Sequence, residues 1–378
     1  MLITNDFPPR SGGIQTFVHG LIRRQPPGSV VVLAPRAAES KAFDAEQDFQ
    51  VIRHIGPLIL PDYAVYRRAL SIVRSEQCDR VLFGASVPLG MMAQSLRRHG
   101  VERVVGITHG LEAAWAVTPG ARSVVRHMAS AMDTMTFLGN YTRNRIAQAI
   151  GPQAAARMRR LVPGVDHQTF NPGNREQGSE VKRQLGLGDR RVIVCVSRLI
   201  RRKGQDSLIN ALPLIRAKIP DAALLIVGDG GYRGELEKLV ESTGQSRDIV
   251  IAGAVPAADL PYYYAAGDVF AMPCRTRNHG WDVEGLGIVY LEASASGLPV
   301  VTGKSGGAPD AVRNGHTGYV ADGQELGSIV RRIVELLSDQ ELAATMGANG
   351  RTWVETEWSW TNAANRLSML LAGQDPDA

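Results

Sequence analysis

Short apolar runs recur along the chain, and the stretches between them carry apolar residues at helical spacing. Leu2-Ile-Thr4, Val30 to Leu33, Arg80 to Phe83 and Val101 to Ile107 read as strands. Phe17, Val18, Leu21 and Ile22 mark a helix, as do Tyr63 to Ser75 and Leu89 to Arg98. Strands alternating with helices, with short buried apolar runs, indicate parallel βαβ units. The chain begins almost inside its first strand, so either that strand is short or the true start lies a few residues upstream.

A second set of the same kind follows Val165-Asp-His-Gln-Thr-Phe-Asn-Pro172. The polar stretch from Asn171 to Gly178 reads as a linker. Strands are expected at Arg191 to Val196, Ala223 to Val227, Ile249 to Ala252, Asp268 to Met272 and Pro299 to Thr302. Helices are expected at Ser207 to Ile219, Glu235 to Glu241 and Leu286 to Ser296. Leu326 to Leu371 reads as helices, with Trp353, Trp358 and Trp360 between them. A length of 378 residues suits two domains. We place them at 1–168 and 169–358, with 359–378 as a final helix. Two doubly wound domains in tandem suggest a shared cleft at the carboxyl ends of their strands.

Composition narrows the class. Hydrophobic residues make up 44% and charged residues 21%, as in an ordinary globular protein. No apolar run approaches the ~20 residues that span a bilayer, and no signal pattern opens the chain. Cys78, Cys195 and Cys274 lie far apart without metal-ligand spacing, and read as buried thiols in a reducing cytoplasm. Charge is unevenly divided. Residues 1–165 hold 20 Lys+Arg against 11 Asp+Glu, a net of +9, while the remainder holds 22 against 26, a net of −4. Arg67, Arg68, Arg74, Arg97, Arg98, Arg122 and Arg126 fall in helical segments. Any one of them is ordinarily a solvated charge. The asymmetry points to an anionic partner, for which nucleic acid and an acidic membrane surface both qualify.

Several motifs carry chemistry. Ser11-Gly-Gly13 follows the first strand and opens a helix, where backbone N–H groups can approach a phosphate or sugar. A tight turn is the plainer reading. The loop is neither G-x-G-x-x-G nor a P-loop. Ser197-Arg-Leu-Ile-Arg-Arg-Lys-Gly204 follows a strand of the second domain. Arg198 and Lys203 could clamp a diphosphate and stabilise it as a leaving group. Arg201 and Arg202 read as an exposed basic loop. Glu284 and Glu292 stand eight apart, preceded by Asp282 and separated by Gly285, Leu286 and Gly287. With a helix starting near Leu286, Glu292 lies two turns in. Glu284 could accept hydrogen bonds from sugar hydroxyls and Glu292 from a ribose diol. The plainer reading is a helix with acids at its favourable end. Ile107-Thr-His-Gly110 ends a strand, so His109 is either a cleft residue or a structural histidine. The only D-x-D, Asp375-Pro-Asp377, lies in the tail, and G-x-S-x-G and H-E-x-x-H are absent. A metal-free phosphate clamp is then the simpler account.

These motifs resemble the family 4 retaining glycosyltransferases of the GT-B fold along almost the whole chain. The matching stretches are Thr4-Asn-Asp-Phe-Pro-Pro-Arg10, Gly12-Gly-Ile-Gln15, Thr108-His-Gly110, Pro163-Gly-Val-Asp166 and Arg202-Lys-Gly-Gln-Asp-Ser-Leu208. They continue through Phe270 to Arg277, Asp282 to Ala293 and Ser305-Gly-Gly-Ala-Pro309. Asn5 to Arg10 and Arg275-Thr-Arg277 with Asp282 to Gly287 point more narrowly, to the actinobacterial enzymes that mannosylate phosphatidylinositol mannosides. The resemblance implies two Rossmann-like α/β domains facing a central cleft, with the final helix crossing back to the first. It implies GDP-mannose as donor, no metal or other cofactor, and an anionic lipid acceptor at the inner membrane surface rather than nucleic acid. The enzyme would be cytoplasmic and peripheral to the plasma membrane. Arg198 and Lys203 would hold the diphosphate beneath the Gly12-Gly13 loop. Glu284, with the amides from Gly285 to Gly287, would bind the mannose, Asp282 would join the donor site, Glu292 would bind the ribose, and His109 the transferred sugar. Asp6 would meet the acceptor hydroxyl. Retention would follow from front-face attack, with the acceptor proton passing to the leaving phosphate.

The chain departs from that family at His109-Gly-Leu111-Glu112 and at Asn278-His-Gly-Trp281, both near the expected sugar or acceptor site. Rival readings are a family 4 transferase with another nucleotide sugar or acceptor, a nucleotide-sugar epimerase, and a non-catalytic basic binding module.

Overall fold

The computed structural model describes residues 1–377 as two compact units. The first comprises Met1–Gly164 together with the segment from Trp360 onward, and the second is Val165–Ser359.

The first unit holds a seven-stranded sheet of β1 (Leu2–Ile3), β2 (Val31–Pro35), β3 (Gln50–His54), β4 (Arg80–Phe83), β5 (Arg103–Gly106), β6 (Thr134–Phe137) and β7 (Arg159–Arg160). The order is β3-β2-β1-β4-β5-β6-β7, and every pairing is parallel. Strand order reverses between β1 and β4, which makes their carboxyl ends the place where a doubly wound sheet receives ligands. Ile3, Leu33, Val81, Phe83 and Val104 form the sheet's share of the core. The helix Tyr63–Ser75 covers it with Val65, Ala69, Ile72 and Val73, and starts where Asp62 accepts from the Val65 N–H at 2.8 Å. Its observed bounds are those expected from the sequence. The edge strands β3 and β7 were not expected, because Gln50, Arg53, His54 and two arginines break the apolar pattern that marks a strand.

The last helix, Trp360–Ala372, packs on the helix Gly13–Ile22 of the same unit. The Trp360 ring fills a notch that only glycine permits: a Cβ on Gly20 would stand 2.3 Å from Trp360 Cη2, and one on Gly164 2.5 Å from the Trp360 backbone. Arg103 Nε donates to the Leu370 carbonyl at 2.5 Å and Arg366 Nε to that of Arg160 at 3.1 Å.

The second unit holds β8 (Arg191–Val196), β9 (Ala222–Val227), β10 (Ile249–Gly253), β11 (Val269–Met272), β12 (Val300–Gly303) and β13 (Gly318–Ala321). The order is β10-β9-β8-β11-β12-β13, again parallel, and the reversal falls between β8 and β11. Apart from Arg191, all residues of β8, β9 and β11 are buried, as parallel strands covered on both faces must be. The expected linker at Asn171 to Gly178 is instead a capped helix start. Asn171 Oδ1 accepts from the Gly173 N–H at 2.8 Å, and the helix Arg175–Gln184 follows. Gly178 looked like a loop residue but lies against the Ala265 backbone, where a Cβ would come within 2.4 Å. Cys195 and Cys274 are buried, and burial pushes their thiols up to about 12 and about 11. Cys78 is only partly buried, against expectation. No helix among the described residues is long and apolar enough to cross a membrane.

Candidate active site

In the second unit, three loops leave the carboxyl ends of β8, β11 and β12 and converge. The β8 loop ends in a turn, Arg201–Lys203, closed by Gly204 at φ 81°. A Cβ on Gly204 would stand 2.4 Å from the Pro273 carbonyl, so glycine lets this turn lie directly on the exit of β11. The β12 loop comes as close on the other side: the Gly307 N–H donates to the Glu284 carbonyl at 2.9 Å, and a Cβ on Gly306 would fall 2.0 Å from that oxygen. Ser305 Oγ accepts from the Glu284 N–H at 3.2 Å.

Glu284 is thereby held, nearly buried, among cations. Lys203 Nζ stands 2.8 Å from Glu284 Oε2 and Arg202 Nε 3.5 Å from the same oxygen. Arg202 Nη1 reaches Asp282 Oδ1 at 3.2 Å. Glu284 Oε2 nevertheless lacks a well-aligned hydrogen bond, so the contact is chiefly one of charge. Arg202, expected to be an exposed loop residue, is thus the bridge between the two carboxylates. Only its place beside Lys203, on a turn pressed against β11, would have revealed it. Arg198 is exposed, and its side chain pairs with no carboxylate among the described residues. Arg198 and Lys203 therefore leave one loop in different surroundings, one open and one enclosed.

The helix beyond Glu284 runs Ile288–Ala295, two residues later than expected. Gly287 precedes it at φ 85°, and Leu286 is buried in the loop rather than helical. Glu292 accordingly sits just over one turn in, not two. Its Oε2 accepts from the Tyr264 hydroxyl at 2.7 Å. Burial raises its carboxyl above the ordinary range, and the Tyr264 bond pulls the other way. Gly285 stays in the loop ahead of the helix, beside the Ser305–Gly307 turn.

In the first unit, the loops after β1, β4 and β5 meet. Asp6 accepts from Gln15 Nε2 at 2.8 Å. Burial raises its carboxyl, while His109 and Arg10 draw it back down. Gly12 is the residue before the helix that Gly13 opens, and a Cβ there would strike Gln15 Oε1 at 2.2 Å, the side chain that holds Asp6. His109 Nε2 contacts the Gly84 carbonyl at 2.6 Å and its ring meets Phe17 edge-on. A carbonyl can only accept, so Nε2 carries the proton and Nδ1 is left as the ring's acceptor when neutral. Glu112, not assigned a role from sequence, is buried and folds back so that its Oε2 accepts from the His109 and Gly110 N–H groups at 3.0 and 3.3 Å. A Glu three residues after His109 at a helix start was the available signal.

Among the described residues no three His, Cys, Asp or Glu side chains gather as a metal site. What gathers instead is a set of cations beside carboxylates at a switch point, which suits a phosphorylated carbohydrate.

The family described as glycosyltransferase family 4 matches residues 11–169, and that described as glycosyl transferases group 1 matches residues 178–353. The GDP-mannose-dependent alpha-(1-6)-phosphatidylinositol monomannoside mannosyltransferase of Mycolicibacterium smegmatis is 44% identical over 99% of this chain and 98% of its own. A GDP-mannose-dependent monoacylated alpha-(1-6)-phosphatidylinositol monomannoside mannosyltransferase of Corynebacterium glutamicum is 42% identical over the same shares. Among solved structures, the Anabaena protein HepE in complex with UDP superposes with a TM-score of 0.81 at 19% identity, over 98% of this chain and 99% of its own. The glycosyltransferase from Rickettsia africae does so at 0.82 and 16%, over 98% and 97%. With two parallel Rossmann-like sheets, both family matches and full-length relatives above 40% identity, the chain belongs to the family 4 glycosyltransferases of the GT-B fold.

Proposed function

We propose that this enzyme transfers mannose from GDP-mannose to a phosphatidylinositol monomannoside, with retention, at a membrane surface. The observation that carries the reading is the enclosure of Glu284 and Lys203 at 2.8 Å beside Arg202 and Asp282, in a chain so similar to enzymes of that name. Lys203, with the open Arg198, supplies positive charge where a diphosphate leaves, so the protein's own cations serve without a metal ion. Glu284 takes hydroxyls of the mannose, the amides from Gly285 to Gly287 assist it, and Glu292 takes the ribose. The Gly12-Gly13 turn covers phosphate, His109 contacts the transferred sugar, and Asp6 meets the acceptor hydroxyl. The proton of that hydroxyl passes to the leaving phosphate oxygen as the new glycosidic bond forms on the same face.

The first unit also supports a membrane as the place of action. After β3, Ile55 is 89% exposed, Leu58 50%, Leu60 51% and Tyr63 73%. Arg67, Arg68 and Arg74 are exposed on the helix that follows, and none pairs with a carboxylate among the described residues. Exposed apolar side chains followed by arginines that carry no carboxylate partner suit an interface of anionic lipid. Asn5 ties this strip to the Asp6 loop: its amide donates to the Ile59 carbonyl at 2.9 Å and accepts from the Ile59 N–H at 2.6 Å. We place the enzyme peripherally, at the cytoplasmic face of the plasma membrane.

The test is transfer of radiolabelled mannose from GDP-mannose to purified phosphatidylinositol monomannoside, with the product's sensitivity to α-mannosidase. Labelled lipid cleaved by that enzyme, formed also in the presence of a chelator, is expected. Failure with this acceptor alongside turnover of another nucleotide sugar would overturn the reading.

A further inference from the structure

The loop between β11 and Glu284 contains a feature that the donor-binding roles leave unused. Arg277 and Asp282 form an antiparallel bridge, with the Arg277 N–H donating to the Asp282 carbonyl at 2.9 Å and the Asp282 N–H to that of Arg277 at 3.2 Å. Within it the Gly280 N–H donates to the Arg277 carbonyl at 3.0 Å, while Asn278 and His279 lie at φ 50° and 52°. A turn with both central residues left-handed is the type I′ hairpin turn, which Asn-Gly makes without penalty. Here His279 occupies the position that glycine favours. The tip is thus a small hairpin in which His279 is held in a left-handed conformation.

The hairpin presents Trp281, which is 56% exposed. Its ring makes no stacking, cation–π or hydrogen-bond contact among the described residues, and the next residue is Asp282. Asp282 Oδ1 is taken by Arg202, which leaves Oδ2 unclaimed. An indole face beside a carboxylate matches a pyranose ring, apolar on its C–H face and rimmed by hydroxyls. An acyl chain would find charged neighbours there. Arg202 joins Asp282 to Glu284, so Trp281 stands one residue from a carboxylate tied to the mannose subsite of the reading above.

We propose that Trp281 is the stacking platform for the acceptor's sugar ring, with Asp282 Oδ2 accepting one of its hydroxyls. The inference rests on the donor-site reading above for its direction, but not on the identity of the acceptor.

The test compares wild type with Trp281→Ala and Trp281→Phe, measuring KM for GDP-mannose and for phosphatidylinositol monomannoside separately. Trp281→Ala raises the acceptor KM about tenfold and leaves the donor KM within about twofold, and Trp281→Phe restores most of the loss. A rise in donor KM instead makes the ring a donor contact and overturns the proposal, as does an unchanged acceptor KM. Equal loss in the Ala and Phe variants also overturns it, since stacking survives in one of them. If wild type uses a different glycosylated acceptor, the same split measured with that acceptor keeps this proposal while the proposed function falls. If no sugar-bearing acceptor is used at all, both fall.

Discussion

Lys203 Nζ lies 2.8 Å from Glu284 Oε2, and the two side chains are only 10% and 7% exposed. Each neutralises the other where water is scarce. Lys203→Ala therefore costs stability as well as turnover: about 2 kcal/mol in urea unfolding, because a buried carboxylate loses its nearer cation and keeps only Arg202 at 3.5 Å. Turnover drops by ~100-fold or more with loss of charge at the leaving phosphate. The double variant Lys203→Ala with Glu284→Gln regains much of the stability and none of the activity. Equal stability of the single and double variants would show that the pair is not a coupled one.

Glu292 gives a pH signature. Its carboxyl is raised above the ordinary 4.5 by burial. The folded state therefore holds its proton to higher pH than the unfolded state does. That contribution is fully present below 4.5 and is lost as pH rises through the raised folded value. Glu292→Gln removes the loss while keeping an acceptor for Tyr264. It melts higher than wild type at neutral pH, and the two converge below about pH 4. A constant difference across this range contradicts the assignment.

Gly12→Ala tests the Asp6 loop. The added methyl displaces Gln15, and Asp6 loses the amide that orients it. We expect turnover to fall about tenfold and the melting temperature to drop by several degrees (~5 °C), because Gly12 sits at φ 158° and ψ 161°, a backbone conformation that essentially only glycine adopts. Gln15→Leu should reproduce the loss. If it leaves turnover intact, Asp6 does not depend on that bond.

The apolar strip and its arginines separate experimentally. Arg67→Glu with Arg68→Glu weakens binding to anionic vesicles by at least tenfold and reduces its salt dependence. Ile55→Asp with Leu58→Asp weakens binding to neutral and anionic vesicles alike. GDP-mannose affinity in solution stays within about twofold in both. Undiminished vesicle pelleting of all four substitutions together places the lipid contact elsewhere.

Much of this was legible in the sequence where one physical signal dominates. The buried strands β8, β9 and β11 are nearly continuous apolar runs, and their bounds were found to within a residue. The motif at Glu284 was visible because glycines interrupt it. Arg202 was not, since a cation's partner lies 80 positions away in Asp282 and no local pattern records it. Gly178 was misread for a similar reason: close approach to Ala265 is a tertiary fact, while glycine in a polar stretch locally means a loop. The start of the helix at Ile288 rather than Leu286 turns on Gly287 being left-handed, which sequence permits but does not require.

Trp360 carries a consequence for how the protein is made. Its ring fills the notch at Gly20 and Gly164, so the unit that holds Met1–Gly164 is completed only by residues that follow the whole of Val165–Ser359 along the chain. A growing chain acquires every residue of Val165–Ser359 before it acquires Trp360. During synthesis the later unit is thus the first to be able to close, and the earlier one waits with an apolar gap beside its opening helix. Transiently exposed apolar surface of that kind favours aggregation and misassembly. Loss of the final helix therefore wounds the amino-terminal half of the protein, the half farthest from it along the chain.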